Sequence, residues 1–159
     1  MYGKNFKEEL NAAKYAAKEI GKIQLKMFSE KKHIIRKSPK ELVSKTDIES
    51  QKEIEHILKK EHQKYEIFSE EQRIHQDYPK GELFWIVDPL DGTHNYIAGL
   101  PFFGVSIALV DINDFYVGVI FLPVFNSLFW AVKNQGAYCN YERIGTSKNS
   151  NLSKSIITY

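Results

Sequence analysis

A single cysteine, Cys139, among 159 residues excludes an intrachain disulfide and leaves too few thiolates for a zinc cluster within one chain. A reducing, intracellular setting is the simpler expectation. Cys139 ends the apolar run Gly136-Ala137-Tyr138-Cys139 and is read as a small buried hydrophobe. Charge of one sign is missing as well. The 22 Lys and Arg face 20 Asp and Glu, and a net charge of +2 gives no reason to expect a nucleic-acid partner. Long apolar runs are also absent. The first thirty residues lack the continuous apolar stretch of a signal peptide, and no later stretch reaches bilayer length. The expectation is a cytoplasmic chain with no membrane partner.

Core-forming residues are plentiful, at 43% apolar and 13% aromatic, and the length suits one domain over residues 1–159. From Phe6 to Phe28, the residues Phe6, Leu10, Ala13, Ala17, Ile20 and Met27 recur at spacings of three, four and seven, which predicts an amphipathic helix. The basic segment Glu30 to Lys40, broken by Ser38-Pro39, reads as a surface connection. A second helix is expected to start near Thr46 or Asp47 and to run through Ile48, Ile54, Ile57 and Leu58.

Beyond His62 the period becomes that of strands. Tyr65 to Phe68 is short and β-prone, and Leu83 to Val87 suits a strand covered on both faces. Val105 to Val110, Phe115 to Leu122 and Leu128 to Val132 follow, with turns at Asn113-Asp114, at Pro123 with Asn126, and at Asn134 with Gly136. Most gaps are too short for a helix. The expected fold is therefore α+β, with two N-terminal helices packed on a largely antiparallel sheet. Ser155 to Tyr159 reads as the opening of one more strand.

Chemistry concentrates where an apolar strand runs into carboxylates, at Trp85-Ile86-Val87-Asp88-Pro89-Leu90-Asp91-Gly92-Thr93. Taken alone, Asp-Pro-Leu-Asp-Gly is also an ordinary polar turn. Brought together, Asp88 and Asp91 would repel each other unless a cation lay between them, and an all-oxygen set suits Mg²⁺. The Leu90 carbonyl is a further ligand candidate. Gly92 permits close backbone approach, and the N–H groups of Gly92 and Thr93 at a helix start favour an anion such as phosphate. A second β-prone run, Ile67-Phe68-Ser69-Glu70-Glu71, also ends in carboxylates, so two strand ends could share one cation. Asp47, within Glu41-Leu42-Val43-Ser44-Lys45-Thr46-Asp47, reads first as a helix cap.

In this order and spacing, the three pieces resemble the inositol monophosphatase family of Mg²⁺-dependent phosphatases. The likeness continues through Asn95, Pro101-Phe102, Val105-Ser106-Ile107 and Gly136-Ala137-Tyr138-Cys139-Asn140. It implies the N-terminal layer of the sugar-phosphatase fold and hydrolysis of a small phosphorylated polyol, inositol 1-phosphate in the first instance. By the same resemblance Glu70, Asp88, the Leu90 carbonyl and Asp91 would hold Mg²⁺. Glu70 and Thr93 would orient the attacking water with Asp47 supporting Thr93, and Asp91, Gly92 and Thr93 would meet the substrate. Lys37 falls near a basic loop that approaches the site in the family.

Three positions depart from the family pattern. Ser69-Glu70-Glu71 replaces Gly-Glu-Glu, Glu41 stands where an Asp is usual, and His94 replaces a second Thr, where it reads as a surface or phosphate-proximal residue. The family's C-terminal α/β layer, with its Trp-Asp motif, has no counterpart between Cys139 and Tyr159. Weak activity or none is thus expected of this chain alone. A homo-oligomer, or a partner supplying the missing layer, would cover the sheet face left exposed. The competing expectation is a non-catalytic relic or interaction module that keeps the fold and one cation site.

Overall fold

A computed structural model describes residues 5–30, 34–38, 41–70, 78–148, 150–151 and 153, with the backbone alone at 34–38 and 41–43. Helix α1 (Lys7–Phe28) forms where the apolar period predicted it, and Leu10, Ala13, Ala17 and Ile20 of the expected stripe are buried. The segment expected as a plain surface connection instead holds β1 (Ile34–Ser38), paired antiparallel with β2 (Glu41–Ser44). Ile34, Ile35 and Val43 are β-branched and favour this extended pairing, which a reading of the segment's basic charge overlooked. Helix α2 (Lys45–Glu61) starts slightly earlier than expected, with Ser44 as its N-cap.

The remaining elements build one sheet with strand order β3-β4-β5-β6-β7-β8-β9. These strands are β3 (Glu66–Ser69), β4 (Phe84–Asp91), β5 (Gly104–Val110), β6 (Phe115–Leu122), β7 (Ser127–Val132), β8 (Gly136–Cys139) and β9 (Glu142–Ile144). A short helix, α3 (Thr93–Ala98), links β4 to β5. Every neighbouring pair is antiparallel except β3 and β4, which run parallel. The fold is therefore two N-terminal helices on a largely antiparallel sheet. Strands β8 and β9 were not expected, because such short segments carry too little apolar alternation to register. Cys139 ends β8 half-buried, so it is less enclosed than its sequence context implied. The strand expected over Ser155 to Tyr159 lies outside the described residues.

Both helices lie on one sheet face. Ala13, Ala16, Ala17 and Ile20 of α1 and Ile54, Ile57 and Leu58 of α2 share a core with Trp85, Val105, Ile107, Val117, Val119 and Phe121. The alanines keep α1 close to the strands. Gly21 shows how close, since a Cβ there would stand 2.4 Å from the Phe121 ring. On the opposite face, Phe68, Phe84 and Val110 form a smaller cluster, so β4 is covered on both sides as expected. A third cluster, Leu90, Tyr96 and Phe103 with Phe28 packed against it, sits beneath the C-terminal end of β4.

The β5–β6 connection is closed by Asp111, whose Oδ1 accepts the N–H groups of Asn113 at 2.7 Å and Asp114 at 2.8 Å, while Oδ2 accepts the Tyr116 hydroxyl at 2.6 Å. The Tyr116 hydroxyl, aided by the Asn113 N–H, holds the Asp111 carboxyl below its ordinary value of 3.8. A group depressed in this way stabilises the fold above its unfolded pKa, and that contribution is lost as pH falls through the folded value. Asp111→Asn is expected to lower the thermal midpoint at pH 7, and the gap from the parent protein should close below pH 3.8. Calorimetric melts across that range check it; a gap independent of pH would count against the hydrogen-bonded carboxylate.

Candidate active site

The parallel pairing of β3 and β4 aligns Ser69 with Val87, so the next residues, Glu70 and Asp88, emerge side by side at the same sheet edge. Antiparallel pairing would have sent them to opposite edges. Past Asp88 the strand does not turn, as the sequence suggested. It continues to Asp91 through an irregularity, with Asp88 facing Ser106 and Asp91 facing Gly104. Three steps on β4 thus match two on β5. Pro89, which has no N–H to give to the ladder, falls inside this bulge. The extra residue brings Asp91 round to the Asp88 side while keeping both on the strand.

Asp88 is half-buried and hydrogen-bonded to Glu70, and the Leu90 N–H donates to its Oδ1 at 3.1 Å. Burial, the hydrogen bond to Glu70, and the charges of Glu70 and Asp91 push the Asp88 carboxyl up to about 8. The crowding of acidic oxygens raises the proton affinity of Asp88, a divalent cation could take that proton's place, and the donor set is all oxygen. These residues therefore fit Mg²⁺ by chemistry. Among the described residues, however, no three His, Cys, Asp or Glu side chains are already arranged to hold a metal ion. Glu70 and Asp88 meet each other directly and do not surround a common centre.

Asp47 joins the site from the first turn of α2. Its Oδ2 accepts the Ser44 N–H at 2.8 Å and the Ser44 hydroxyl at 2.5 Å, and its Oδ1 accepts the Thr93 hydroxyl at 3.0 Å. Asp47 thus takes part in the helix cap from the third position, with Ser44 as the N-cap, and its other carboxylate oxygen faces Thr93. With three donors, the carboxylate tolerates almost complete burial. The Thr93 hydroxyl also lies 3.0 Å from the Leu90 carbonyl. It has one hydrogen for two acceptors, and its lone pairs stay available to a water.

Gly92 connects Asp91 to α3 with φ +81°, and a Cβ there would stand 2.7 Å from the Phe102 carbonyl oxygen. Only glycine suits this position. Asn95 secures the same loop, its Nδ2 donating to the Phe102 carbonyl at 2.9 Å. His94 is exposed on α3. Lys37 has its backbone in β1, and its side chain lies outside the described residues, as does Glu71 entirely.

Glu70, Asp88, Leu90 and Asp91 thus lie at the ends of adjacent strands, Gly92 and Thr93 open α3, and Asp47 stands behind Thr93. A sequence model of the inositol monophosphatase family matches residues 6–159. The chain belongs to the inositol monophosphatase family. It is 36% identical over 157 residues to an Aquifex aeolicus fructose-1,6-bisphosphatase/inositol-1-monophosphatase, covering 98% of this chain and 59% of that protein. It is 39% identical over 154 residues to a Dictyostelium discoideum inositol monophosphatase, covering 94% and 56%. Among solved structures, the extragenic suppressor protein suhB of Bartonella henselae has a TM-score of 0.80 at 34% identity, covering 89% of this chain and 55% of that one. The chain thus spans little more than half the length of these relatives.

Sequence reasoning missed three residues that hold the site together: Gln24, Ser44 and Tyr96. Gln24 had a visible signal. The apolar stripe of α1 jumps from Ile20 to Met27, and Gln24 fills the place between them, four residues after Ile20. Because Gly92 must adopt a left-handed conformation against a backbone oxygen, Gly92→Ala is expected to cost about 1–3 kcal/mol. Urea denaturation would measure this, and an unchanged midpoint would show that the loop relaxes freely.

Proposed function

We propose that the site serves Mg²⁺-dependent hydrolysis of a small phosphate monoester, with a phosphorylated polyol such as inositol 1-phosphate as substrate. The observation that carries the reading is the convergence of Glu70 and Asp91 on Asp88 at one sheet edge. Glu70, Asp88, the Leu90 carbonyl and Asp91 would hold the cation. When bound, Mg²⁺ supplies the positive charge that activates water and stabilises the leaving oxygen. Thr93, held by Asp47, would orient the water together with Glu70. The amides of Gly92 and Thr93 would meet the phosphate, with Asp91 beside the substrate. A cytoplasmic setting belongs to the same reading and rests on the single cysteine.

A second reading has its own support. Phe102, Phe115, Ile120, Phe125 and Ile144 are all exposed, more large apolar side chains than a solvent-facing surface needs. An interaction module that keeps the fold and one cation site would present such a surface. So would an enzyme that works with a second copy or with a partner chain completing the domain. Sedimentation equilibrium is expected to show association that raised salt does not weaken; a strict monomer at high concentration would speak against this.

Release of inorganic phosphate from inositol 1-phosphate separates the two readings. The enzyme reading expects release that needs Mg²⁺ and that Asp88→Asn reduces by more than the roughly 100-fold typical of groups outside the ligand shell. Equal release by the variant would remove Asp88 from its role. Calorimetric Mg²⁺ binding with no turnover at any substrate concentration would select the interaction module.

A further inference from the structure

Gln24 is fully buried among the alanines and aliphatics of α1, where an apolar residue would be easier to accommodate. Its Nε2 donates to the Pro89 carbonyl at 2.8 Å and to the Gly104 carbonyl at 3.0 Å. Two carbonyl acceptors around one atom identify that atom as the amide nitrogen. Its Oε1 has no partner, and a buried acceptor left without one is destabilising. Such a residue is poor at stabilising a helix–sheet contact. Its hydrogen bonds fall at the β4 bulge and on the β5 residue that faces Asp91.

The Pro89 carbonyl and the Leu90 N–H belong to one planar peptide unit, so fixing one end orients the other. Gln24 grips the oxygen at 2.8 Å, and the N–H donates to Asp88 Oδ1 at 3.1 Å. The second bond, to Gly104, ties this peptide to the neighbouring strand. Gln24 is itself held in place, because the Tyr96 hydroxyl donates to its backbone carbonyl at 2.9 Å and the Thr46 hydroxyl lies 3.2 Å from that of Tyr96.

We propose that Gln24 is a positioning residue for the cation site: from α1 it fixes the Pro89–Leu90 peptide and thereby the direction of the Asp88 carboxyl. The inference deepens the hydrolase reading and rests on it. Removal of the amide leaves the peptide free to rotate, so the ligand oxygens lose their set spacing while the acidic residues remain.

The test is Mn²⁺ binding to the whole chain, followed by calorimetry and by the spin signal of free Mn²⁺, with amide hydrogen exchange on the metal-free protein. Gln24→Met keeps the volume and removes the donors. It is expected to weaken Mn²⁺ binding about ten- to a hundredfold and to speed exchange at the Leu90 amide. Ile20→Val, one turn earlier on the same buried face, is expected to lower the thermal midpoint without changing Mn²⁺ affinity, which distinguishes positioning from general destabilisation. Tyr96→Phe, which removes the hydroxyl bond to the Gln24 backbone carbonyl, is expected to weaken binding less than Gln24→Met and gives a second reading should that variant not fold. Unchanged affinity in Gln24→Met, or an equal loss in Ile20→Val, overturns the inference and leaves the hydrolase reading standing. A parent protein that takes up no Mn²⁺ overturns both.

Discussion

Three acidic side chains crowd one edge of the sheet, and the site is organised around their mutual repulsion. Glu70 and Asp88 are neighbours because β3 and β4 are the only parallel pair among the described strands. Asp91 joins them because β4 bulges at Pro89. Like charges packed this closely destabilise the fold unless something neutralises them, and here Asp88 keeps its proton to about 8. This crowding is the electrostatic ground on which the proposed cation site rests.

Rigid surroundings hold these residues together against that repulsion. The Leu90, Tyr96 and Phe103 cluster, with Phe28 against it, fills the space beneath the bulge and sets α3 against the end of α1. Asp47 bridges α2 and α3, capping one helix through Ser44 and holding Thr93 of the other. Gln24 ties α1 to both strands at the bulge. Each of the three helices therefore contributes a polar side chain, Gln24, Asp47 or Thr93, to a site whose acidic ligand candidates all come from the ends of β3 and β4.

The surface away from the site differs in character. Exposed aromatics at Phe115 and Phe125, with Ile120 and Ile144, leave apolar area facing outward on a chain that spans little more than half the length of its relatives. Association through that surface and chemistry at the sheet edge are compatible, because they draw on different residues.

Much of this was legible in sequence. Periodicity located α1, α2 and five strands, and Trp85 to Thr93 marked the site, because local alternation and turn chemistry are written in neighbouring residues. The hairpin of β1 and β2 was hidden under a basic composition, and β8 and β9 under their shortness. Three features were decided by tertiary structure alone. Parallel pairing of β3 with β4 depends on a crossover, the bulge at Pro89 depends on the ladder with β5, and the role of Gln24 depends on α1 crossing that bulge. All three join residues distant in the chain, and no local pattern can record a hydrogen bond between positions 65 residues apart.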